Sequence, residues 1–125
     1  MTITVAVFLF LTSVVILFQL ALALGAPWGE YTLGGKFPGK LPSKMRIAAL
    51  AQIVVLMLFG AIVLARSGLA FSALHPFSRT AIWFVAGFFV LGTIANLTTP
   101  SKRERLLWGP ANLIMLIATS LIALQ

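Results

Sequence analysis

Four long apolar runs, separated by short stretches that hold almost every charge, constrain this chain more than any other feature. They cover about residues 3–24, 47–65, 81–97 and 106–124. Each is close to the ~20 residues that an α-helix needs to cross the hydrocarbon core of a bilayer. The spacing predicts an all-α fold, a bundle of four transmembrane helices forming one integral membrane domain over residues 1–125. Only 9% of the residues are charged and 61% are hydrophobic, which leaves too little polar surface for a water-soluble domain of this length. The first run ends near a small-x-small triplet, Ala21-Leu22-Ala23, as secretory leaders do. It is longer than a leader's apolar region, and no Lys or Arg precedes it, so it reads as a retained membrane helix.

The basic residues orient the chain. Lys36, Lys40, Lys44 and Arg46 lie between runs one and two, and Lys102, Arg103 and Arg105 between runs three and four. Arg66 and Arg79 alone flank the connection between runs two and three. The positive-inside rule therefore places the first and third connections in the cytoplasm and both termini outside. The net charge of +7 belongs to these flanks rather than to an aromatic-rich stripe, which argues against nucleic acid as a partner. The expected partners are the bilayer itself, anionic headgroups on the cytoplasmic side, and a second copy of the chain or a larger membrane complex. Trp28 and Tyr31 after the first run, Trp83 at the start of the third and Trp108 at the start of the fourth are expected at headgroup level. His75 is expected to be a solvated loop residue.

Chemistry-bearing residues are few. There is no cysteine and a single histidine, so thiolate chemistry and a Cys/His metal site are excluded, and no cofactor is implied. Gly34, Gly39 and Lys40 match part of a phosphate-binding loop, but Leu41 stands where Ser or Thr must hold magnesium, and Pro38 breaks the turn. The runs contain no ionisable side chain at depth, which argues against proton coupling. They do contain one carboxamide each: Gln19, Gln52, Asn96 and Asn112. Gln52 follows Arg46 by ~9 Å of helix and Asn112 follows Arg105 by ~10 Å, while Gln19 and Asn96 come shortly before their runs end. The four therefore predict one polar layer near the cytoplasmic side. Two readings stand for that layer: hydrogen-bonded glue between helices, or a vestibule for a small solute or a lipid headgroup.

Two further patterns concern the connections. Pro42-Ser43-Lys44 and Pro100-Ser101-Lys102 recur before runs two and four, which suggests two parallel helical-hairpin repeats. The first connection, from Gly25 to Met45, is rich in Gly and Pro yet carries Trp28, Tyr31, Leu33, Phe37 and Leu41. So many apolar side chains predict an ordered loop packed on the mouth of the bundle. Within it Glu30 is expected to pair with a Lys or Arg, and Trp28, Glu30, Tyr31 and Lys36, with Arg103 and Trp108 from the third connection, are loop and interface candidates.

The segments Gly25-Ala26-Pro27-Trp28-Gly29, Asn96-Leu97, Pro100-Ser101-Lys102, Glu104-Arg105 and Trp108-Gly109-Pro110 resemble a group of small four-span bacterial integral membrane proteins. The resemblance implies a bacterial cytoplasmic membrane and supplies neither an activity nor a functional residue. Three function classes stay open: a structural or accessory membrane protein, a small oligomeric transporter or channel for a neutral solute or ion, and a membrane enzyme or lipid-headgroup-binding protein.

Overall fold

The computed structural model describes residues 2–125. Four long helices account for most of them: α1 (Thr2–Ala23), α2 (Ser43–Arg66), α3 (His75–Thr98) and α4 (Lys102–Ala123). All four are long and apolar enough to cross a membrane, so the chain is a multi-pass membrane protein. Each helix packs against its chain neighbours, and α1 closes the ring against α4. The connections 24–42 and 99–101 lie at one end of the bundle, called here the loop end. The termini and the connection 67–74 lie at the other, the termini end.

Helices α2, α3 and α4 begin four to six residues before their apolar runs do. The added turns are polar residues that fit the headgroup region, and their starts are set locally. Pro42 holds an extended backbone just before α2, and Pro76 stands in the first turn of α3, where its missing N–H costs nothing. Ser101 caps α4 by accepting a hydrogen bond from the Glu104 N–H at 3.2 Å. The two Pro-Ser-Lys turns are therefore out of step by one residue: proline is the cap residue in one and serine in the other.

Trp83 lies two turns inside α3 but only two residues into its apolar run. His75 is exposed, as expected, yet it opens α3 instead of lying in a loop: its Nδ1 sits 2.8 Å from the Ala65 carbonyl oxygen, tying the start of α3 to the end of α2. Arg66 at the same end bonds the Gln125 backbone oxygen.

The termini half holds the main apolar core. Phe8, Ile82, Val85, Phe89, Met115 and Ile122 are all buried there. Phe8 meets Phe89 edge-on at 5.8 Å, and Phe59 meets Phe88 at 4.9 Å. Large apolar side chains such as Phe10, Leu17, Val54, Phe84 and Leu91 face outward, as a bilayer requires. Polar side chains inside the helices mostly bond their own backbone: Ser13, Thr93, Thr98 and Thr119 each donate to a carbonyl one turn earlier. That spares each hydroxyl the cost of an unmet bond in lipid without any help from a neighbouring helix.

The long first connection is ordered. It forms two short 3-10 turns, Gly29–Tyr31 and Leu33–Gly35, and buries Leu41 against Leu22 and Ala49. The Gly29 N–H donates to the Gly39 carbonyl at 2.9 Å, and a Cβ on Gly29 would fall 1.7 Å from the Phe37 oxygen. Only glycine fits there. The loop is also pinned to the start of α4. Ser101 Oγ donates to the Glu30 carbonyl at 2.5 Å, and Gly34 N–H donates to Glu104 Oε1 at 3.2 Å.

Candidate functional site: a polar cavity at the loop end

The inward face of each helix follows heptad-like spacing. On α4 it runs Glu104, Trp108, Asn112, Met115, Thr119 and Ile122; on α1 it runs Val5, Phe8, Thr12, Val15, Gln19 and Leu22. Both stripes are apolar toward the termini end and polar near the loop end. Gln52 on α2 and Asn96 on α3 hold the matching places, and all four carboxamides line a single cavity of about 660 Å³. Leu56, Phe88, Phe89 and Met115 form its apolar floor, and Thr32, Leu33 and Gly34 of the first connection contribute to its roof.

The hydrogen bonding of the amides is specific. Asn96 Nδ2 donates to the Gly92 carbonyl at 2.8 Å, and Asn112 Nδ2 donates to the Trp108 carbonyl at 2.9 Å. A carbonyl only accepts, so the atom facing it must be nitrogen, and the oxygen of each asparagine is left as a free acceptor. Among the described residues Gln19 and Gln52 have no hydrogen-bond partner, and no amide bonds across to another helix. Asn112 instead packs by shape, its Oδ1 lying 2.8 Å from where a Cβ on Gly92 would stand. A Cβ on Gly109 would meet Leu97 at 2.7 Å, so two glycines set the close approach of α3 and α4.

Two further polar groups line the cavity. Glu104 is 8% exposed, and its carboxylate accepts one bond, from Gly34 N–H. No basic side chain among the described residues pairs with it; the one ion pair at this end joins Arg103 to Glu30 at 2.5 Å. Its place in the first turn of α4 gives the negative charge partial compensation from the helix dipole. Trp108 is 9% exposed, and its Nε1–H is buried without a partner. The ring thus faces the bundle interior and not the lipid. Because α4 begins at Lys102, Trp108 lies in its second turn, on the inward face with Glu104 and Asn112 at four-residue spacing. It packs on Phe18 at 4.8 Å, and Phe18 stacks in turn on Trp28 at 6.3 Å.

The structure brings together Gln19, Gln52, Asn96, Asn112 and Trp108 in the cavity wall. It keeps Trp28, Glu30, Tyr31, Lys36 and Arg103 out of that wall. Arg103 pairs with Glu30 and lies 5.7 Å over the Tyr31 ring, so these three form an exposed clasp holding the loop to α4. Lys36 is exposed on the loop. Glu104, which hydropathy does not single out as a site residue, also lines the wall. The regular spacing of Glu104, Trp108 and Asn112 was the available signal.

Glu104 is the one ionisable side chain among the described lining residues, so the cavity offers no acid–base pair. What it offers is a set of amide oxygens, one carboxylate and the unpartnered Trp108 Nε1–H above an apolar floor. No family model, curated protein or solved structure matches the chain.

Proposed function

We propose that this is a small binding protein of the cell membrane, whose loop-end cavity receives a polar group. One observation carries the reading: a carboxamide from every helix and a buried carboxylate face the same space, yet no carboxamide bonds to another helix. If the amides served as glue between helices, they would meet each other. Instead the asparagines are held by their own helices with their oxygens unused. Seven of the nine basic residues lie at the loop end, and by the positive-inside rule that end faces the cytoplasm and both termini face outward.

A cysteine in place of Gln19, on the α1 wall, tests this directly in an otherwise cysteine-free chain. A polar thiol reagent is expected to label Gln19→Cys and to leave Ile82→Cys in the packed half unlabelled. Failure to label Gln19→Cys overturns the open chamber. Lys36→Cys tests the orientation: it is expected to react in intact cells only after permeabilisation, and reaction from outside reverses the topology.

A further inference from the structure

The exposed residues of the cavity wall mark where it opens. On α1 and α4 every lining residue is buried or partly buried. Ala48 on α2, Ala95 and Thr98 on α3, and Leu33 and Pro100 in the connections are exposed. The mouth therefore lies on the α2–α3 side, at the loop end, with Glu104, Trp108 and Asn112 on the wall opposite.

The same seam carries a second concavity. An apolar groove of about 440 Å³ runs between α2 and α3 toward the termini end, lined by Leu58, Phe59, Phe77, Thr80 and Phe84 among others. Phe59 of the groove touches Phe88 of the cavity floor, their ring centroids 4.9 Å apart, so the two concavities adjoin. From Gln52 in the cavity to Phe59 in the groove is ~10 Å along one helix. A polar chamber opening sideways at headgroup depth, continued by an apolar track along the membrane, has the form of an amphiphile. A free polar solute would leave the track unused.

The chamber also has a sign. Its one charged group is negative, the Glu104 carboxylate, which has no basic partner; the Asn96 and Asn112 oxygens add acceptors, and the unpartnered Trp108 Nε1–H is a donor in the same wall. A primary ammonium supplies three N–H donors and the missing positive charge. No Lys or Arg lines the chamber, so the basic residues of the loop end attract the phosphate of such a headgroup only from outside the wall. We propose that the cavity and the α2–α3 groove form one site for an amphiphile with a primary-ammonium headgroup, of the aminophospholipid class. The ammonium bonds Glu104 and an acyl chain lies along Phe59, Phe77 and Phe84. This rests on the reading of the cavity as a binding chamber.

The test is the labelling rate of Gln19→Cys in reconstituted vesicles. Vesicles of phosphatidylcholine, whose trimethylated headgroup has no N–H to donate, set the baseline. Adding phosphatidylethanolamine is expected to slow labelling several-fold. Equal rates in the two lipids overturn the proposal, whereas absence of labelling in both overturns the open chamber beneath it. Free ethanolammonium chloride is expected to protect far less than the lipid; equal protection by both overturns the amphiphile assignment and leaves a soluble amine as the ligand. Glu104→Gln keeps an acceptor for the Gly34 N–H and removes the charge, and it is expected to erase the difference between the lipids. Thr80→Trp fills the groove without touching the chamber and is expected to weaken protection by the lipid; undiminished protection overturns the role of the groove.

Discussion

The two halves of this bundle are built from the same four helices and solve opposite problems. In the termini half, the inward positions carry Phe8, Ile82, Val85, Phe89 and Ile122, which fill the axis. In the loop half, the same stripes carry Gln19, Gln52, Asn96 and Asn112, and the axis is hollow. The difference cannot come from hydrophobicity as it acts in water, since lipid covers the outer face of both halves. It comes from shape. Interlocking rings hold the helices together at one end. At the other, a loop bound to α4 through Gly34, Glu30 and Ser101 spans the hollow from above. The lesson is that the stable half acts as the scaffold and the hollow half is free to carry function, at the cost of needing a lid.

That contrast can be broken at four points, from the largest effect to the smallest. Phe89→Ala removes a ring in contact with Phe8, Phe59 and Phe88. It should cost about 3 kcal/mol, the low end for such truncations, because in lipid the loss is packing and cavity formation rather than exposure to water. A large drop in the thermal unfolding midpoint in detergent checks it. Gly29→Ala should be nearly as damaging but confined to the lid, since its Cβ would overlap the Phe37 oxygen. Here the expected result is faster proteolysis within residues 24–42 with the helices intact by circular dichroism. Unaltered cleavage would show that the loop tolerates rearrangement.

Gln52→Leu together with Asn112→Leu should change stability by less than about 1 kcal/mol, because neither amide bonds across a helix contact. A midpoint shift as large as that of Phe89→Ala would restore the glue reading and remove the distinction between the halves. Glu30→Ala breaks an ion pair whose side chains are 41% and 60% exposed, so a change of under about 0.5 kcal/mol is expected. Its sensitivity to salt, measured by the same unfolding assay, sharpens the point: the lid is held by the Ser101 and Glu104 side chains bonding its backbone and by the fit of Gly29, and the clasp adds little.

Much of this was legible in the chain. The four spans, their alternation and the ordered first connection follow from apolar run length, from charge placement and from the rings in a Gly/Pro-rich loop. The amides' common level followed from helical rise alone. Other features were not legible. The helix starts fell short because hydropathy reads lipid contact, whereas helix continues through polar residues until a cap or a proline stops it, as at Ser101 and Pro42. The inward direction of Trp108 depends on how α4 packs against Phe18 of α1, and the tie from His75 to the Ala65 carbonyl spans ten residues, so neither shows in local hydropathy. The two Pro-Ser-Lys turns look alike as letters but differ by one residue in the cap they form, so the tripeptide is poor evidence for a hairpin repeat.

By itself the sequence determined that these helices must lie in a membrane and which positions along them are polar, because hydropathy and rise per residue are local properties. Only the tertiary structure decided what the polar positions do. Whether Gln19 meets Gln52 or a hollow depends on the width of the bundle axis, which Phe8, Phe89 and the two close-packing glycines of α3 and α4 set from elsewhere. Whether the Glu104 carboxylate meets solvent or the cavity depends on a loop seventy residues earlier in the chain, whose Gly34 N–H bonds one of its oxygens and leaves the other without a protein partner.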